Sequence, residues 1–192
     1  MATVQDIYNH LHSIAPFQYQ EHYDNAGLIV GNPNHEVTGV ITCLDSTEAV
    51  IDEAIMLGAN LVVAHHPIVF RGLKRFTGKD YIEKTVIKAI KNDIAIIAIH
   101  TNLDNVINHG VNERIAQQIG LNNIKPLAVK SDIDQSNGAV GSGVIGDLEK
   151  AEEELSFLKN IKVKMNAQLV KHTNLLDRPI KKVAVCGGVG GF

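Results

Sequence analysis

The stretch VVAHHPIVF, residues 62–70, sets two imidazoles side by side at the end of a run that otherwise reads as a buried strand. Imidazole is the commonest protein ligand for transition metals. Successive side chains of an extended strand point to opposite sides. His65 and His66 can therefore share one ion only where the strand ends and the backbone turns, which Pro67 encourages. Alternatively, each serves one of two neighbouring ions. The plainer reading is one core histidine and one exposed histidine, each hydrogen-bonded.

The segment IIAIHTNLDNV places His100 and Asp104 beyond another apolar run, in a stretch too polar for its position. An aspartate can bridge two divalent ions about 3.5–4 Å apart, an arrangement that activates a water. Imidazole nitrogen with carboxylate oxygen suits zinc, manganese or iron. Asp104 and Asn105 otherwise read as a turn or a helix cap. Taken with the histidine pair, Asp104 reads as a metal ligand. His100 reads as an acid/base group or a partner that orients a ligand.

The remaining polar residues carry weaker signals. Asp24 and Asn25 read either as residues at the mouth of the site or, the reading that chemistry alone favours, as a β-turn before a strand, and Asp45 either as a site residue or as a helix-cap neighbour. His10, His12, His22, His35, His109 and His172 have no partner pattern and read as surface histidines. Cys43 reads as a buried strand residue, since nothing marks a base beside it. CGGVGG near the end resembles a phosphate-cradling loop, but no helix follows to supply amides.

The elements that must position these groups alternate. Helical spacing runs from Val4 through Leu11, with Thr3 as the cap. A turn and short apolar run follow in YDNAGLIVG. VTGVITCLD is a strand ending at Asp45, and STEAVIDEAIMLGA is an amphipathic helix ended by Gly58. NLVVAHHP is a strand stopped by Pro67. KDYIEKTVIKAIKN is a helix with Asp80 and Glu83 at capping-box spacing. DIAIIAIH is a strand, and GVNERIAQQIG a short helix closed by Gly120. Strands apolar on both faces alternating with helices predict an α/β domain with a mostly parallel central sheet flanked by helices. In such sheets the ligand site lies beyond the carboxyl ends of the strands. Asp45, His65, His66 and the residues from His100 to Asp104 all fall there.

The character changes after Lys130. SDIDQSNGAVGSG is expected to be a loop, LEKAEEELSFLKN a helix, IKVKMNAQLVKH a strand with one surface face, and IKKVAV a strand. The expected division is residues 1–130 for the domain bearing the histidine motifs and 131–192 for a second part.

Bulk properties exclude several classes. Net charge is -3, so no electrostatic field invites nucleic acid. No run approaches the roughly 20 apolar residues of a membrane span. Two cysteines, no CxxC pair and an N-terminus without signal-peptide character suggest a reduced, cytoplasmic setting.

DNAGLIVG, GANLVVAHHPIVF, AIHTNLDNV and KKVAVCGGVGGF, in that order, resemble the NIF-three-like family, also labelled GTP cyclohydrolase 1 type 2 homologues. The resemblance covers nearly the whole chain. It implies an α/β fold of two related halves, a dinuclear site with two divalent ions (Zn, Mn or Fe) per subunit, and assembly into a homohexamer. His65 and His66 match the family's histidine ligands, and Asp104 matches its carboxylate ligand. Family members continue beyond the VCGG strand to a His and a Glu, four residues apart, that complete the site. This chain stops at Phe192, so the expectation is a second half that is incomplete and lacks those two ligands. The domain that long members insert in the middle is expected to be absent. The implied function is a metal-dependent hydrolase acting on a nucleotide such as GTP or on a phosphoester. The alternative is a non-catalytic metal-binding scaffold or interaction protein.

Overall fold

The computed structural model describes residues 1–130 and 138–188. The chain divides into two compact units, Met1–Leu103 and Asp104–Phe192. The boundary falls at Leu103/Asp104, whereas the composition shift pointed to Lys130. The reason is packing: Ile119 and Leu121, from the segment before Lys130, are buried in one cluster with Val144 and Phe157.

In the first unit, α1 (Val4–Ile14) begins where expected. Thr3 caps it with a reciprocal capping box to Asp6, and three hydrogen bonds of 2.8–3.2 Å close the box. The strands are β1 (Gly27–Val30), β2 (Val40–Asp45), β3 (Leu61–His66) and β4 (Ala95–Ala98), in the sheet order β1-β4-β3-β2. β2, β3 and β4 are mutually parallel and β1 is antiparallel to β4. The mostly parallel α/β sheet expected from the sequence is thus present. Helices α2 (Glu48–Leu57) and α3 (Tyr81–Lys91) connect the parallel strands. Gly58 closes α2 in the left-handed conformation, φ 67°. Ile51 and Ala54 of α2 and Val86 and Ala89 of α3 bury against Val62 and Ile96. Each fully buried Ile contributes about 1.5–3 kcal/mol by leaving water. An exposed ion pair contributes about 0–1 kcal/mol. The apolar core therefore places the polar groups at the strand ends, and those groups do not hold the core together.

Asp80 caps α3 as expected, accepting from the Glu83 amide at 2.9 Å. Glu83 does not complete a capping box. Its carboxylate instead accepts from the Thr77 amide and hydroxyl, both at 2.9 Å, and from the Lys79 amide at 3.2 Å. This side chain is nearly fully buried and anchors the end of the loop that leaves β3 after Pro67.

The second unit contains α5 (Val111–Ile119), β5 (Asn122–Val129), β6 (Gly141–Glu152), α6 (Glu154–Lys164) and β7 (Ile180–Val185). The short helix α4 (Thr101–Asn105) spans the junction of the units. The second sheet is antiparallel, in the order β5-β6-β7. Three expectations change here. GSG at 141–143 is strand, not loop: a Cβ on Gly141 would lie 2.4 Å from the Ala128 carbonyl oxygen, and Gly143 has φ +63°. These glycines serve close strand approach rather than a turn. LEKAE continues β6, because pairing with β7 extends to Glu152 opposite Ile180. IKVK is the last turn of α6, not a strand; Phe157 and Ile161, four apart, pack into the core beside Met165. The loop expected at 131–137 and the last glycines of CGGVGG (189–192) lie outside the described residues. Among the described residues no helix is long and apolar enough to cross a membrane.

The hydrogen bonds from Thr77 outweigh burial and hold the Glu83 carboxyl at about 2, below its ordinary 4.5. A depressed folded-state value stabilises above the unfolded value, and that stabilisation is lost as pH falls through the folded one. Glu83→Gln should therefore unfold at a lower temperature than the wild type at pH 7. The gap should narrow steadily as pH falls from about 4.5 toward about 2. Thermal melts across this range check it, and a gap independent of pH refutes the assignment.

Candidate metal centre

β3 ends at His66, and β4 delivers His100 two residues past its own end. In the parallel register Ala64 lies opposite Ala98, and His66 lies opposite Asp45 of β2. The three imidazoles meet at this edge. Ring centroids are 4.9 Å apart for His65–His66, 5.2 Å for His65–His100 and 5.4 Å for His66–His100. One nitrogen from each ring lies within 4.8 Å of the others, a group that could hold a metal ion.

Every Nδ1 of this group is engaged. His65 Nδ1 lies 3.0 Å from the Ile99 carbonyl oxygen. His66 Nδ1 lies 2.7 Å from an Asp45 carboxylate oxygen. His100 Nδ1 lies 2.8 Å from Asp24 Oδ1. A carbonyl or carboxylate on one ring nitrogen fixes the tautomer and points the other nitrogen, Nε2, at a ligand. The donor set fits a transition metal. Three imidazole nitrogens are a frequent catalytic zinc set, at about 2.0–2.1 Å from the ion with a further position open.

The two carboxylates behind the rings differ. Asp45 and His66 are exposed, at 60% and 45% of their side chains. The Asp24 side chain is fully buried and that of His100 is 19% exposed. Burial alone would raise the Asp24 pKa. Hydrogen bonds from His100, from the Thr101 hydroxyl and from the Asn25 amide outweigh it, and the carboxyl sits at about 2. Thr101 also donates its amide to Asp24 Oδ2 at 3.1 Å. Asn25 donates its side-chain amide to the Val69 carbonyl at 2.6 Å, which ties the turn to the loop after β3.

Set against the sequence reading, the structure brings His65, His66 and His100 together. His100 was expected as an acid/base group or as a partner that orients a ligand; here its ring is the third imidazole of the group. Asp104 lies on α4 and opens the second unit. Asp24, read from the sequence as either a site-mouth or a turn residue, proves to be hydrogen-bonded to one of the three rings. Its turn position was clear, but its partner is 76 positions away in the chain, and no local pattern reports that. Cys43 is half-buried, and burial pushes its thiol above the ordinary value, so it offers no thiolate.

Residues 2–192 match the family Duf34/NIF3 (NGG1p interacting factor 3). The chain belongs to that family. A Clostridium perfringens relative, named GTP cyclohydrolase 1 type 2 homolog, is 34% identical over 188 residues, which are 97% of this chain and 70% of the relative. A Staphylococcus epidermidis protein of the same name is 41% identical over 128 residues, 67% of this chain and 34% of that protein. The crystal structure of a Bacillus cereus protein related to NIF3 superposes with TM-score 0.86 at 25% identity, over 97% of this chain and 77% of that one. The Duf34/NIF3 chain thus shares the fold of its family and spans part of the length of these relatives.

Outer carboxylates of this kind are worth about 10–100-fold in metal affinity. Asp24→Asn should lower zinc affinity in that range while the protein stays folded. Asp45→Asn, removing an exposed partner, should lower it only severalfold. Competition with a chromophoric chelator measures both. Equal affinities in all three proteins would mean that neither carboxylate orients its ring.

Proposed function

We propose that this NIF3-family chain is a metal-dependent hydrolase whose reaction centre is the imidazole group at the end of β3 and β4. The observation that carries this reading is the pattern of Nδ1 partners. Beside that pattern, one nitrogen from each ring lies within 4.8 Å of the others, and a separate acceptor holds each ring. His65, His66 and His100 would hold a divalent zinc, manganese or iron ion. Asp104 is kept as a further, carboxylate ligand on sequence grounds alone. The second ion of a dinuclear centre and assembly into a hexamer belong to the same proposal, on the family resemblance.

A bound divalent ion supplies a water whose pKa is brought near neutrality, and it polarises a carbonyl or phosphoryl oxygen. The chain's own residues do the rest. Asp24 keeps a proton on His100 Nδ1, so that Nε2 stays a lone-pair donor. The Ile99 carbonyl does the same for His65, and Asp45 for His66. The loop after β3 carries Arg71, Lys74, Arg75 and Lys79, all exposed, a run of cations suited to an anionic substrate. The relatives' name points to GTP, and the cationic loop suits a nucleotide or another phosphoester.

The second reading is a non-catalytic metal-binding protein that acts through a protein partner. The family's description as an interacting factor favours it. One variant separates the two. His66→Ala should lose bound metal, by elemental analysis of gently purified protein, and should abolish hydrolysis of GTP and of p-nitrophenyl phosphate in the presence of manganese or zinc. Wild-type protein that carries metal in a large oligomer but hydrolyses neither compound supports the scaffold. Wild-type protein without metal overturns both readings.

A further inference from the structure

The aromatic side chains beside the imidazoles are not used by the metal centre. Aromatic residues are only 5% of this chain and tryptophan is absent. Several serve the core: Tyr8 stacks on Phe17 at 4.4 Å, and Phe157 is buried in the second unit. Two instead stand in solvent at the edge of the histidine group. Phe70 is 44% exposed and Tyr23 is 53% exposed. The Phe70 ring lies 6.4 Å from His100, edge to face at 80°. The Tyr23 ring lies 6.3 Å from Phe70, tilted at 52°. Histidine, phenylalanine and tyrosine therefore form a continuous chain of rings, with the His22 ring 5.4 Å beyond Tyr23, edge to face at 78°; Tyr23 and Phe70 make an exposed aromatic corner within it.

The corner is held from both sides. Tyr23 adjoins Asp24, which is bonded to His100 and to Thr101. Phe70 follows Val69, whose carbonyl accepts from Asn25. Arg71, the next residue, is exposed. Two rings inclined at 52° cannot sandwich a flat group between them, but they offer one face and one wall. A flat heterocycle stacked on the Phe70 face lies at about the same 52° to the Tyr23 ring, a tilted contact; offset stacking on a ring face is an arrangement that aromatic rings prefer. Base-on-aromatic stacking is worth about tenfold or more per base in affinity.

We propose that Tyr23 and Phe70 form a ring-binding subsite, and that the substrate of this centre carries a planar heteroaromatic group of purine type rather than an aliphatic phosphoester alone. The proposal rests on the reading of the histidine group as a metal-dependent reaction centre. The ring seats on Phe70, and the anionic part of the substrate extends toward the imidazoles and the cationic loop.

The test titrates guanosine 5′-monophosphate and ribose 5-phosphate into zinc-loaded wild-type protein, Phe70→Ala and Phe70→Tyr, by calorimetry. Zinc content and solution mass are measured on each. The expected result is that the wild type binds the nucleotide about tenfold more tightly than the sugar phosphate, a difference of about 1.4 kcal/mol. Phe70→Ala should lose that preference with its zinc unchanged, and Phe70→Tyr should keep it. If Phe70→Ala does not fold, Tyr23→Leu carries the same readout, with a loss of severalfold. Equal binding of the two probes to the wild type, or binding of neither, overturns the proposal. So does a preference that survives in Phe70→Ala. A change of solution mass in Phe70→Ala assigns the corner to a contact between copies and also overturns it. Failure of the metal reading looks different: a wild type that takes up no zinc, whatever its preference between the probes.

Discussion

The parallel register of β3 between β2 and β4 is the constraint on which the site depends. Neighbouring residues of a strand face opposite ways, so two adjacent histidines should not converge. They do so here because β3 ends at His66 and its two neighbours offer different partners. His65 takes the Ile99 carbonyl beside β4, and His66 takes Asp45, its register partner on β2. A shift of one residue in either pairing would exchange those partners and separate the rings. Register, in turn, is set by the burial of Leu61, Val62, Val63 and Ala64 opposite the apolar residues of β4.

The two orienting carboxylates show how burial grades a polar contact. The Asp45–His66 pair is exposed, and such a pair is held weakly against water. Asp24 is enclosed, and its charge is maintained by three donors besides His100: the Thr101 amide and hydroxyl and the Asn25 amide. A carboxylate so satisfied stays ionised despite its burial. Of the two rings held by a carboxylate, His100 is therefore the more firmly directed, and the turn at Asp24 is a structural part of the centre. Thr101 also accepts from the Glu21 amide at 2.9 Å, which closes the same turn from its other end.

Most of the first unit was legible in the sequence because local and tertiary preferences agree there. Thr3 and Asp80 cap their helices, Gly58 ends one, and Pro67 stops β3 where the pattern said it would. The histidine pair was legible for the same reason: strand ends can be read from punctuation. The second unit was harder. LEKAE has helical composition, yet the ladder to β7 claims it, and the helix starts only where Glu153 accepts from the Leu155 and Ser156 amides. β5 contains Pro126, which hides a strand, although an edge position tolerates it. In the site, the unreadable part was the partner of Asp24, since the fold brings a turn to a strand end 76 positions along the chain.

The geometry of the group suits a cation. Ring centroids stand 4.9–5.4 Å apart, and one nitrogen from each ring lies within 4.8 Å of the others. A carbonyl or a carboxylate holds each Nδ1. A ring that binds an ion through its other nitrogen keeps that hydrogen bond and the orientation it gives. The Asp24 side chain is buried and its carboxyl sits at about 2, so a negative charge stands behind His100. A carboxylate in that position raises the basicity of the imidazole toward a positive ion. Burial of Asp24 and orientation of His100 are thus one arrangement: the donors that keep the carboxylate charged also fix the ring it directs.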